Sequence, residues 1–255
     1  GFLMGLADDA YNTKPFLKFF TQLLCGVILI VSGTYIQLFE SDYLNYIITI
    51  FWVVGIMNSL NMLDNMDAVT TVVSLGVMLS ILSVLFFFNL VEGVYFAMSL
   101  GVVASLGGFL IFNWHPSKMY MGDTGSQFLG ILLAALGIKF LWNVPIGEST
   151  FSIKHFVLVV VAFLPTLVDT TTVTINRLAR RRSPFVGGKD HTTHFLSYLG
   201  LSDTKVAALF LILSLFSSGL VALGYFYIEE WKLIHTLIYL FYAIVIFVAL
   251  FSITK

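Results

Sequence analysis

Charge and cysteine are what this sequence has least of. Only 11% of its 255 residues are charged, against about 25% in ordinary soluble domains, too few to clothe a globular surface in water. Its 13 Lys and Arg nearly balance 14 Asp and Glu, and a formal charge of −1 gives no general affinity for polyanions, so nucleic acid is not an expected partner. The single Cys25 excludes an intrachain disulfide and any zinc site made of several thiolates. No cleavable signal peptide stands out, because apolar runs repeat along the whole chain instead of occurring once near its start. In place of charge there is apolar surface: 58% hydrophobic residues, 25 of them Phe, and a mean hydropathy of +0.95.

A bilayer core about 30 Å thick takes roughly 20 apolar residues per helix. Eight runs meet that pattern, at approximately 19–39, 44–60, 68–90, 94–112, 127–143, 156–175, 206–227 and 234–253. The expected fold is therefore all-α, one polytopic transmembrane helix bundle filling residues 1–255 as a single integral-membrane domain. Strict alternation puts ten basic residues on one side: Lys14, Lys18, Lys118, Arg177, Arg180, Arg181, Arg182, Lys189, Lys205 and Lys255. Lys154 and Lys232 fall on the other, and by the positive-inside rule the first side is cytoplasmic.

The basic side also gathers the unusual polar residues. In NSLNMLDNMD, Asn58, Asn61, Asp64 and Asp67 are three apart. On a continuous helix they would line one face with oxygen ligands suited to hard cations or sugar hydroxyls, or would simply cap a helix end. Adjacent Asp8 and Asp9 diverge by about 100° on a helix, so one would meet a cation while the other orients a neighbour, unless both are a solvated cap. In NWHPSKMYMGDTGSQFLG, Gly122 and Gly125 permit close backbone approach and Asp123 is a candidate Mg²⁺ ligand. Free N–H groups at the start of the following helix would favour phosphate, although the spacing is not that of a P-loop. The alternative is a turn capped by Asp123 or Thr124.

The longest basic loop, RLARRRSPFVGGKDHTTHFLSYLG, offers four Arg as phosphate clamps or as a topology signal, with His191 and His194 placed to reach one ligand as donors. Two His do not make a zinc site. Asp169 lies near the end of an apolar run, where a charge needs a partner; a structural pairing with an Arg and a role with substrate both account for it. Lys139, Trp142 and Trp231 read as interface anchors, and Glu40, Asp42, Glu92, Glu148, Glu229 and Glu230 as solvated charges of the opposite loops.

Taken in order, four segments resemble the polyprenyl-phosphate N-acetylhexosamine-1-phosphate transferases, a family related to phospho-N-acetylmuramoyl-pentapeptide transferase. GLADDAYNTK is similar to its paired-aspartate motif, NMLDNMDA to its Asn-x-x-Asp-x-x-Asp-Gly segment, MYMGDTGS to its Met-Gly-Asp-x-Gly-Ser loop and SPFVGGKDHTTH to its late His loop. Ala68 stands where the second motif usually has Gly, and Thr193 where the His loop usually has another His. The late loop is closer to the branch that uses simple UDP-N-acetyl sugars. Family members carry further helices before the paired aspartates, so a start at Gly1 reads as an N-terminal truncation.

The resemblance implies transfer of a sugar 1-phosphate, N-acetylglucosamine 1-phosphate first among the candidates, from a UDP-sugar to undecaprenyl phosphate with release of UMP, beginning a cell-envelope polysaccharide such as lipopolysaccharide O-antigen. It implies Mg²⁺, with Mn²⁺ as a substitute, on Asp123 and Asp64, and Asp8, Asp9 and Asp123 as catalytic residues. Asn61, Asp64, Asp67, Tyr120, Arg182, His191 and His194 would bind substrate, Tyr120 by stacking on uracil. Location in the bacterial inner membrane with a cytoplasmic site follows, and a homodimer is compatible. The competing readings are a secondary transporter with a cytoplasm-facing acidic site and an inactive relative acting as an assembly partner.

Overall fold

The computed structural model describes residues 1–144, 152–183 and 187–255; Glu148, Pro184 and Phe185 lie outside them. All regular structure among these residues is helical: α1 (Phe2–Tyr11), α2 (Pro15–Val31), α3 (Asp42–Leu63), α4 (Val69–Phe87), α5 (Val94–Asn113), α6 (Gly122–Gly137), α7 (Ile153–Ala162), α8 (Leu164–Ala179), α9 (Thr192–Tyr198), α10 (Asp203–Phe226) and α11 (Leu233–Ser252). A π-helical turn, Ile138–Trp142, continues α6.

Each of the eight apolar runs contains helix, but they are not eight equal spans. Six helices are long and apolar enough to cross a membrane: α3, α4, α5, α6 with its π turn, α10 and α11. The 156–175 run is broken into α7 and α8, which meet at 76°. The break falls at Phe163, and Pro165 in the first turn of α8 has no N–H to continue the α7 ladder. The 19–39 run gives only the 17 residues of α2, which begins earlier, at Pro15, and ends before Gly33 turns the chain at φ +78°. The chain is thus a multi-pass helical membrane protein with one span bent.

α4 is the innermost helix, with 72% of its apolar window buried, whereas only 11% of that of α5 is. Outward-facing side chains such as Phe51, Ile111 and Phe112 are exposed and apolar, as a lipid-facing surface requires. α3 and α6 cross closely at Gly130, where a Cβ would stand 2.7 Å from the Met57 Cα. That crossing brings the C-terminal end of α3 and the N-terminal end of α6 to the same end of the bundle.

Candidate active site

α1, α2, α3 and α6 meet at that end. Within α1, Asp8 and Asp9 diverge. Asp9 turns to the start of α6, where its carboxylate accepts the backbone N–H groups of Asp123 (2.9 Å) and Thr124 (2.9 Å) and the Thr124 hydroxyl (2.5 Å). These are the amides expected to remain free for phosphate; Asp9 occupies them, because α6 has no side-chain cap of its own. Neither Asp123 nor Thr124 caps the helix. Gly122 makes the approach possible: its φ is +63°, and a Cβ there would stand 3.0 Å from the Asp9 carboxylate.

Asp8 faces Lys18 of α2. Lys18 Nζ lies 2.6 Å from the Asp8 carboxylate and also donates to Asp123, so one ammonium bridges carboxylates from α1 and α6. Thr13 donates its backbone N–H (2.9 Å) and its hydroxyl to the other Asp8 oxygen. Burial works to raise the Asp8 pKa, but the neighbouring Asp123 carboxyl, which takes up a proton in preference to Asp8, and the hydrogen bonds from Lys18 and Thr13 outweigh it and hold the Asp8 carboxyl at about 2. Asp9, though exposed, has lost some of its water, which works to raise its pKa, but the Thr124 hydroxyl and the α6 amides outweigh that and lower it. Both are held carboxylates and poor proton acceptors at neutral pH.

From α3, Asn61 donates to Asp123 (2.9 Å) and to Ser126 (3.0 Å). The expected single polar face over 58, 61, 64 and 67 does not form, because α3 stops at Leu63. Asp64 is its C-cap, Ala68 takes a left-handed φ of +65°, and Asp67 lies in the intervening turn. Asn58 turns inward to an amide cluster with Gln22 (2.7 Å), and Gln22 reaches Gln127 (3.2 Å). Asp67 receives the Ser117 N–H (3.1 Å) and pairs with His115 (2.8 Å). Asp64 stays near the cluster: burial, and after it the charge of Asp123, pushes its carboxyl up to about 7.

Asn65 connects this group to the late loop, accepting the Thr193 hydroxyl at 2.6 Å. From α8, the fully buried Asp169 reaches that loop and pairs with His191 Nδ1 (2.8 Å), not with an Arg. Arg177 holds Asp190 through two hydrogen bonds of 2.8 and 2.6 Å, the Asp190 carboxyl being lowered by them. His194, whose ring centre is 5.9 Å from that of His191, is lowered by burial and by the neighbouring His191. Arg182 lines a cavity of about 420 Å³ with Arg177, Gly187, Gly188, Lys189 and Asp190. Tyr120 precedes α6 and is exposed, at the rim of an apolar groove of about 480 Å³ between α5 and α6 that Met98, Gly101, Phe109 and Phe128 also line.

Among the described residues no three His, Cys, Asp or Glu side chains form a ready metal cage. Mg²⁺ does not demand one: it is usually bound by one or two carboxylates, with waters and substrate phosphates completing the octahedron. The oxygen-rich donor set of Asp123 and Asp64, with the Asn61 amide on Asp123, fits such an ion. Lys18, Gln22 and Gln127 were not foreseen from sequence. Lys18 read as a topology charge, although two polar side chains one turn apart, Lys18 and Gln22, at the start of an apolar run were the available signal.

Residues 1–141 match the family model described as glycosyl transferase family 4. A Bacillus subtilis protein named probable undecaprenyl-phosphate N-acetylglucosaminyl 1-phosphate transferase is 30% identical over 233 residues, covering 87% of this chain and 62% of that protein. A Mycobacterium leprae decaprenyl-phosphate N-acetylglucosaminephosphotransferase is 26% identical, with 87% and 60% covered. A phospho-N-acetylmuramoyl-pentapeptide-transferase of Oceanobacillus iheyensis is 34% identical over 116 residues, with 44% and 34% covered. The chain thus spans about three fifths of the length of the first and second of these relatives.

Proposed function

The chain belongs to glycosyl transferase family 4, and from that premise we propose that it transfers N-acetylglucosamine 1-phosphate from UDP-N-acetylglucosamine to undecaprenyl phosphate, releasing UMP, at a site facing the cytoplasm. The observation that carries the reading is the convergence of Asp8, Lys18, Asn61 and Asp123 from four helices at one end of the bundle. A transporter would hold its ionisable groups near the midplane, whereas Lys18 and Asp123 lie in the first turns of α2 and α6, beside Asn61 in the last turn of α3.

In the proposed reaction an oxygen of the lipid phosphate attacks the sugar-linked phosphorus. The bond from that phosphorus to the bridging oxygen breaks, and UMP leaves with the bond's electron pair. A phosphate monoester has its second pKa near 6, so the attacking group is already largely dianionic at neutral pH and needs no strong base. That agrees with Asp8 and Asp9 being held carboxylates. Asp9 fixes the start of α6 and with it Asp123; Lys18 supplies positive charge where two anionic substrates must meet. Asp123 and Asp64 would hold Mg²⁺, which when bound supplies charge neutralisation at the diphosphate. Asn61 would orient Asp123, Arg182 and His191 would meet the nucleotide-sugar side, and the exposed Tyr120 is free to stack on a base.

The test is UMP release by membranes carrying the full-length protein. Asp123→Asn is expected to abolish Mg²⁺-dependent turnover while the protein stays folded in detergent. Full turnover in that variant would remove Asp123 from the site.

A further inference from the structure

Asp169 and His191 are 22 residues apart in sequence, and both are buried, with 0% and 4% of their surfaces exposed. One carboxylate oxygen of Asp169, Oδ1, accepts both the backbone N–H of Thr192 (2.8 Å) and the Thr192 hydroxyl (2.6 Å). The other, Oδ2, lies 2.8 Å from His191 Nδ1. A carboxylate only accepts, so the proton of the neutral His191 ring must sit on Nδ1. The other ring nitrogen, Nε2, makes no hydrogen bond among the described residues. Thr193, next in the chain, ties this segment to Asn65, beside Asp64.

We propose that Asp169 is a positioning residue for the transfer reaction: it fixes the ring and the tautomer of His191, so that Nε2 meets the substrate as a lone-pair acceptor for an O–H or N–H group. This reverses the expectation that His191 acts as a donor. The role at the substrate rests on the transferase reading; the tautomer does not.

Asp169→Asn separates the two functions of the carboxylate. The Thr192 backbone N–H can only donate, so the Asn oxygen stays toward Thr192 and the Asn NH₂ is left facing His191 Nδ1. It must then donate to Nδ1, which moves the neutral ring's proton to Nε2 and turns the substrate-facing acceptor into a donor. Size and the Thr192 contacts are retained. A comparable wrong-tautomer substitution in the Ser-His-Asp triad lowers kcat by about 10⁴; a binding contact, not a general base, is affected here, so a loss of about 10²-fold in kcat/KM is expected.

The experiment has two arms. Histidine ¹⁵N NMR of the full-length protein in detergent, assigned with His191→Gln and recorded in the neutral form of the ring, should show His191 protonated on Nδ1 in the wild type and on Nε2 in Asp169→Asn. A wild-type ring protonated on Nε2 would overturn the proposal whatever the enzyme does. In the kinetic arm, wild-type UMP release is measured first, which tests the transferase reading separately. A double-mutant cycle follows: Asp169→Asn should cost about 10²-fold alone and almost nothing in a His191→Gln background, because the two residues act as one unit. Additive losses would show that Asp169 acts on the fold and not through His191.

Discussion

Replacing Gly5 by alanine tests whether the seating of α1 against α6 sets the geometry of the site. An added Cβ would lie 2.3 Å from the Asp123 carbonyl oxygen and 2.5 Å from the Thr124 Cα, backbone atoms with no rotamer to escape into. Ordinary contact begins at 3.4 Å, so α1 must retreat by about 1 Å, a displacement too large for bond-angle strain to absorb. The Asp9 hydrogen bonds at 2.9, 2.9 and 2.5 Å cross the same gap and lengthen together. Hydrogen bonds to charged groups are worth about 1.5–3 kcal/mol each, but Asp9 is exposed and water replaces much of that, so about 1–2 kcal/mol of stability should be lost in all. The kinetic cost is larger, since misplacing catalytic groups by about 1 Å costs on the order of 100-fold in rate. UMP release and the unfolding midpoint in detergent measure the two. Gly108→Ala is the control, because nothing stands within 4 Å of its added Cβ, and it should leave turnover unchanged. Gly5→Ala turnover within about threefold of wild type would refute the argument from proximity.

Lys18→Met removes the cation between Asp8 and Asp123. Like charges about 4 Å apart repel by about 4 kcal/mol at an effective dielectric of about 20, so the variant should half-saturate at lower Mg²⁺ while its kcat falls at least about tenfold; a raised Mg²⁺ requirement would mean that Lys18 does not neutralise this site. Ala68→Val puts a β-branched side chain at a buried position with φ +65° and should cost about 2 kcal/mol or more, whereas Ala68→Gly should fold normally; an unchanged unfolding midpoint for Ala68→Val would count against that backbone conformation. EDTA should stop UMP release and added Mg²⁺ restore it, with helical circular dichroism constant throughout, because Lys18, Asn61 and Asp9 already hold the four helices together. Loss of helicity on chelation would make the metal structural.

The apolar runs made the helices legible, since burial in lipid leaves a period-independent signal about 20 residues long. The bend between α7 and α8 was hidden inside one such run, although Pro165 marked where a helix ladder is interrupted. Asp8, Asp9, Asp64 and Asp123 were visible as candidates because charge is rare in this chain, and Asn61 through its three-residue spacing from Asp64; the structure gathers them at one end of the bundle. Their pairings were not visible. Three-residue spacing over 58–67 implied a shared face only if the helix ran through, and α3 ends at Leu63. That Asp9 takes the α6 amides, that Lys18 bridges two acids and that Asp169 pairs with His191 are long-range contacts, separated by 114, 105 and 22 positions. No local pattern encodes them.

In the proposed transfer the phosphate attached to the sugar moves with it. The most direct measurement follows a radioactive label on the sugar-linked phosphorus of UDP-N-acetylglucosamine, incubated with undecaprenyl phosphate, Mg²⁺ and membranes carrying the full-length protein. The label is expected to pass into the organic-extractable lipid while unlabelled UMP is released. Label that remains with the nucleotide as UDP would mean that only the sugar moved, and would contradict that expectation.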